Sequence, residues 1–200
     1  MVAPENESLP FPGTQEDEPN RHLQLPETIE AGMSLASATG RTQTIGAALS
    51  AAGMAVTVGT ALGFQHIGGF IPCKLCLEQR IPYYVGVPVM LLALVSSVLK
   101  LPPLVTRGLL LVGALLMTWG IWLGVYHSGV EWGFWPGPTD CGAVAPSSGG
   151  GSLLDQLDAV VPPSCDQAAG RFLGLSFAGW NVVASVILAA ISYAAAFRKD

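Results

Sequence analysis

Four long stretches of the chain carry no charged side chain, at 42–73, 81–99, 108–130 and 172–197, and polar, turn-forming segments separate them. About 20 apolar residues rising 1.5 Å each cross a hydrocarbon core of roughly 30 Å, and a backbone in lipid must satisfy its own hydrogen bonds. The pattern therefore predicts four membrane-spanning helices, near 44–65, 81–99, 106–126 and 174–196, joined by loops at 66–80 and 127–173. A weaker helical period appears inside the second loop. Leu153, Leu154, Leu157, Val160 and Val161 alternate with Asp155 and Asp158 until Pro162-Pro163, as in a short helix lying along a membrane surface. The predicted fold class is an all-α membrane protein, a four-transmembrane-helix bundle with this interfacial helix in its second outer loop.

Residues 1–43 read differently. Seven acidic residues stand against Arg21 alone before Arg41, among Pro, Ser and Asn, so the segment buries little apolar surface and is expected to be a disordered acidic leader. Met33, followed by Ser-Leu-Ala-Ser and then the first span, marks an alternative translation start. A peptide from the first 30 residues, found by mass spectrometry, would sink that reading. The first apolar stretch is too long for an ordinary signal peptide and is read as retained.

Half of the 200 residues are hydrophobic and 12% are charged, which suits lipid better than water. Acidic residues outnumber basic ones by 14 to 9 with no basic cluster, so a nucleic-acid partner has no electrostatic footprint. The basic residues also set an orientation. Arg41, Lys100, Arg107, Arg198 and Lys199 flank one side, and Lys74, Arg80 and Arg171 the other, which places both termini in the cytoplasm and both long loops outside. All four cysteines then lie outside. Gly46, Gly53, Gly59 and Gly63 include a Gly-x-x-x-Gly pair suited to close helix packing, and Trp119, Trp122, Trp132 and Trp135 are expected to bracket the outer end of the third span.

Chemistry concentrates at Cys73-Lys74-Leu75-Cys76. Sulfurs at this spacing can close a small ring that opens readily to thiolate attack, whereas structural disulfides usually close longer loops. A zinc knuckle needs a second close pair, and Cys141 and Cys165 are too far apart to supply one; haem attachment needs a His where Leu77 stands, so no metal is expected. Lys74 and Arg80 lie near enough in sequence to favour thiolate, with Arg80 one helical turn from Cys76. Cys141 and Cys165 suit either an inert bridge or, in a Gly- and Pro-rich loop, a labile disulfide. Glu78 and Gln79 read as capping or hydrating the second span.

The run Pro72-Cys73-Lys74-Leu75-Cys76-Leu77-Glu78-Gln79-Arg80 resembles the Pro-Cys-x-Leu-Cys-x-x-Gln-Arg signature of the disulfide bond formation protein B (DsbB) family. His127, the Trp-Gly-Phe-Trp-Pro-Gly-Pro stretch, Cys141, Cys165, Phe172-Leu173-Gly174-Leu175 and Trp180-Asn181 extend the likeness over about 44–196. The resemblance implies a quinone-dependent thiol oxidase of the bacterial inner membrane. In that scheme Cys141 and Cys165 form the pair that meets a DsbA-like periplasmic thioredoxin-like oxidase. Cys165 then engages Cys73, and the freed Cys76 makes a charge-transfer contact with bound ubiquinone or menaquinone. Arg80 stabilises negative charge on the quinone oxygen, and His127 lies near the quinone.

Two rival readings have discriminating features. The vitamin K epoxide reductase family also joins four helices, a Cys-x-x-Cys and a quinone, but carries its motif near the last span, whereas here it follows the first. A four-span protein with two structural disulfides and no catalysis would show no quinone-dependent disulfide formation.

Overall fold

The computed structural model describes residues 39–139 and 164–199. The leader, Cys141 and the stretch read as an interfacial helix lie outside the described residues. The elements are α1 (Arg41–His66), α2 (Lys74–Glu78), α3 (Ile81–Val98), α4 (Pro103–Glu131), β1 (Arg171–Phe172), β2 (Leu175–Ser176) and α5 (Phe177–Phe197). Four helices are long and apolar enough to cross a membrane: α1, α2 with α3, α4, and α5, each with an 18-residue window of mean hydropathy between 1.7 and 2.0. This is the all-α bundle that the charge-free stretches predict.

The helices form a ring in which α3 packs between α1 and α4, α4 runs along α5, and α5 returns to α1. Lipid offers no hydrophobic reward for helix association, so close packing must supply it. The interior is accordingly small and interlocked. A side chain at Gly113 would collide with Met90, and one at Gly86 with Met54. Ala47, Ala93 and Ala196 are fully buried, whereas Leu49, Leu92, Leu115 and Ile187 face outward, each more than half exposed.

Three sequence expectations change here. First, Gly59 and Gly63, the Gly-x-x-x-Gly pair, meet nothing; Gly46 and Gly53 make the close approach instead, against Ala195 and Leu188 of α5. Second, α4 runs to Glu131 rather than 126. Trp119 therefore lies 12 residues, about 18 Å, short of the helix end and not at its rim. Third, the last span starts at Phe177, not 174, because Leu173 and Gly174 both adopt positive φ (51° and 84°) in the turn of the β1–β2 hairpin. Such a turn requires two left-handed residues and cannot be helical. Ser176 then caps α5, accepting from the Gly179 N–H at 3.2 Å.

The two ends of the bundle differ chemically. At the end holding the α1 N-terminus and the α5 C-terminus, Arg107 is fully buried and donates through Nη1 to the Ala196 and Arg198 carbonyls at 2.8 and 2.9 Å. Gln43 accepts from Gly40 N–H at 2.6 Å and donates to the Ala195 and Arg198 carbonyls at 3.3 and 2.9 Å. These bonds satisfy the last carbonyls of α5, which a helix leaves without internal partners. The opposite end holds the cysteines.

Candidate functional site

The chain leaves α1 through Gly68 and Gly69, and Phe70 folds back so that its ring meets Phe64 and Phe177 at centroid distances of 5.9 and 5.8 Å. This aromatic corner delivers the motif to the bundle end. Cys73, in extended conformation, is the N-cap of α2, and its Sγ accepts from the Cys76 N–H at 3.2 Å. The N-terminal end of the short helix therefore points at the first sulfur rather than the second. Cys73 and Cys76 are joined as a disulfide, with Cα atoms 5.1 Å apart.

The two sulfurs face different surroundings. Cys73 is 4% exposed and shares a buried cluster with Leu75, Val130 and Cys165, against which Cys76 and Tyr126 pack. Cys165 is 2% exposed and is itself disulfide-bonded; Cys141, the fourth cysteine, lies outside the described residues. Cys76 instead lines a cavity of about 500 Å³ between α1, α3 and α5. Of the pair, only Cys76 reaches that cavity.

The cavity wall is mainly apolar, including Phe64, Phe70 and Phe177, with a few polar groups converging on it. Arg80 lines it, held through Nη1 by Gln65 Oε1 and through Nη2 by the Ala61 carbonyl at 3.5 Å. No carboxylate pairs with it among the described residues. On the facing helix, Asn181 accepts from the Tyr83 hydroxyl at 2.7 Å, and that hydroxyl also meets Ser185 Oγ at 2.8 Å. The amide nitrogen of Asn181 is buried and has no partner. That nitrogen is turned from the cavity toward α4, where a side chain added at Gly124 would meet it at 3.3 Å.

His127 closes the site from α4, 3% exposed. Its Nε2 lies 3.7 Å from Cys73 Sγ and 3.8 Å from Glu131 Oε1, and its Nδ1 lies 2.5 Å from Gln79 Nε2. Gln79 is thus not the solvated cap that the sequence suggested: it is 6% exposed and engaged with the imidazole. Cys73, Cys76 and His127 bring their sulfur and nitrogen atoms within 4.8 Å of one another. Sulfurs bonded to each other present no thiolate to a metal ion, so the oxidised arrangement is one for disulfide exchange.

The structure brings Cys73, Cys76, Arg80, His127 and Cys165 to one end of the bundle, and leaves Cys141 undescribed. Residues that the reasoning on spacing missed are Gln65, Tyr83, Glu131 and Asn181. Tyr83 and Asn181 sit in otherwise apolar helix turns, where a polar side chain was the available signal, whereas Gln65 and Glu131 stand at helix ends, where polar residues are ordinary. The profile of one protein family, Disulfide bond formation protein DsbB, matches residues 43–195. No curated protein and no solved structure matches the chain.

Proposed function

The chain belongs to the DsbB family of disulfide bond formation proteins, and from that premise we propose that it is a thiol oxidase that reoxidises a periplasmic DsbA-like partner and delivers the electrons to membrane quinone. The observation that carries this reading is the division of the Cys73–Cys76 disulfide: Cys76 faces an apolar cavity open to lipid-soluble ligands, while Cys73 backs onto Cys165. A disulfide so placed can exchange with a second sulfur pair on one side and with a hydrophobic acceptor on the other.

The residues present fit a quinone. A bound quinone supplies a two-electron acceptor with two carbonyl oxygens on a flat apolar ring. The Arg80 guanidinium is the charged donor available to such an oxygen, and Phe64, Phe70 and Phe177 form an apolar wall. Exchange begins when a thiolate of the reduced partner attacks Cys141 and breaks its bond to Cys165; the Cys165 thiolate so freed attacks Cys73 Sγ. The new S–S bond forms, the Cys73–Cys76 bond breaks, and the electron pair remains on Cys76 Sγ. That sulfur then lies on the cavity wall with the Arg80 guanidinium, whose charge favours thiolate over thiol.

In this reading the cysteine end faces the periplasm of a bacterial inner membrane, both termini are cytoplasmic, and the partner meets Cys141 first. The decisive experiment is a quinone-reduction assay on purified protein with a reduced thioredoxin-like donor, using the four single Cys→Ser variants at 73, 76, 141 and 165. Loss of turnover in all four is expected. Turnover that survives Cys141→Ser and Cys165→Ser would restore the inert-bridge reading of that pair.

A further inference from the structure

Gln79 and His127 meet through a side-chain amide nitrogen and Nδ1. A carboxamide NH2 can only donate, so Nδ1 must accept, and a neutral imidazole then carries its proton on Nε2. That proton faces Cys73 Sγ at 3.7 Å, with the Glu131 carboxylate at 3.8 Å. We propose that Gln79 is a positioning residue that holds His127 in the Nε2–H form, so that the imidazole donates to Cys73 sulfur and stabilises its thiolate when Cys73 leaves the mixed disulfide formed in exchange. The proposal rests on the reading of this disulfide as redox-active.

The chemistry is a hydrogen bond, not a proton transfer. When Cys73 is the leaving sulfur of an exchange, its bond to the neighbouring sulfur breaks, the attacking sulfur takes its place, and the electron pair stays on Cys73 Sγ. The Nε2–H already faces that atom. Because Nδ1 is committed to Gln79, the ring cannot pass a proton from one nitrogen to the other, and its work is confined to the sulfur side. The ionisable groups about His127 are Glu131 on its own helix and Cys73 and Cys76 from the motif, with Arg80, the N-cap of α3, and Tyr83 of α3 on the same cavity wall. The neighbours that α1 and α5 contribute to that wall include the neutral Gln65 and Asn181. The pairing also gives Gln79, a signature residue with no chemistry of its own, a reason to be buried.

Two measurements test this on the full chain in lipid nanodiscs. The first is the histidine tautomer in the oxidised protein, read from 15N shifts with the His127 signal assigned by its loss in His127→Ala. Protonated Nε2 with bare Nδ1 is expected, and the reverse tautomer overturns the proposal. This readout needs no quinone and no partner, so failure of the thiol-oxidase reading leaves it interpretable. The second uses a Cys76→Ser, Cys141→Ser, Cys165→Ser background, in which Cys73 is the sole thiol, and follows iodoacetamide alkylation against pH.

Gln79→Leu should slow alkylation at pH 6.5 on the order of tenfold, the scale of one hydrogen bond to a charged group, and leave the plateau rate at high pH unchanged. His127→Ala should do the same, and combining the two should add nothing further. Gln79→Glu, whose carboxylate instead accepts from Nδ1–H and favours the doubly protonated ring, should retain at least the parent rate at pH 6.5. A merely packed Gln79 predicts an unmoved pH profile or a lowered plateau. Either of those, or additive losses in the double variant, rejects the assignment.

Discussion

At the end of the bundle where α1 begins and α5 stops, buried polar groups are tied to one another. Arg107 and Gln43 close the α5 terminus, Thr44 meets Ser97 at 2.7 Å, and Ser96 meets Thr106 at 2.7 Å. At the cysteine end the balance reverses. Among the described residues, all three buried side-chain atoms without a hydrogen-bond partner, Ser128 Oγ, Glu131 Oε2 and Asn181 Nδ2, lie there. An orphaned buried polar atom costs about 1–3 kcal/mol, so one end of the bundle spends stability where the other conserves it. The contrast separates a closed, fold-holding end from an open, reactive one.

Substitutions at the two ends should fail in different ways. The largest effect is expected for Cys73→Ser and Cys76→Ser, which should drop quinone reduction to the uncatalysed level because the sulfurs act as a unit. The fold should survive, since a ring this small contributes no more than about 2 kcal/mol; thermal unfolding followed by circular dichroism checks it. Next, Arg107→Ala at the closed end should lower stability by about 3 kcal/mol, by removing charge-assisted bonds to two helix-terminal carbonyls. Turnover per folded molecule should stay as in the parent. Loss of turnover without loss of stability would erase the contrast between the ends.

Arg80→Ala should raise the KM for quinone about thirtyfold, the equivalent of about 2 kcal/mol for one hydrogen bond to a charged donor. Thiol exchange with the soluble partner, followed separately by acid-trapped mixed disulfides, should be unaffected. The smallest effect is expected at Asn181→Leu, whose buried amide nitrogen faces Gly124 and not the cavity: the same KM should be unchanged. The same change removes an orphaned donor together with the acceptor of the Tyr83 hydroxyl, so stability should move by no more than about 1 kcal/mol. A rise in KM with unchanged stability would mean that Asn181 belongs to the ligand and not to the packing.

The spans were readable because charge is absent from them, and the motif because its spacing is rare. The boundaries were less so. Nothing in the hydropathy of Leu173-Gly174 marks it as a turn, since Leu173 is as apolar as the helix that follows. The inward faces were hidden for a related reason: only a third or so of each span is buried, and inside and outside are both apolar. What distinguishes them is size, with Gly, Ala and Ser turned inward and Leu, Val and Trp outward, a period that a hydropathy plot does not register. The site was legible as far as the motif and His127. Gln79, Glu131 and Asn181 were not, because their roles depend on which helices stand together.

Cys73 and Cys165 are almost wholly hidden, at 4% and 2% exposure. A relay through two buried sulfurs is insulated: small thiols and peroxides dissolved in the surrounding water reach either atom slowly, and each lies inside the shell that the other helps to fill. Short circuits are thereby suppressed. In the proposed reading the wiring is loaded where a docking protein forces entry, and discharges where Cys76 meets the apolar cavity. Reductant added from solution should accordingly attack the Cys73–Cys76 bond at Cys76 and not at Cys73, which trapping and mass spectrometry of the mixed disulfide would locate.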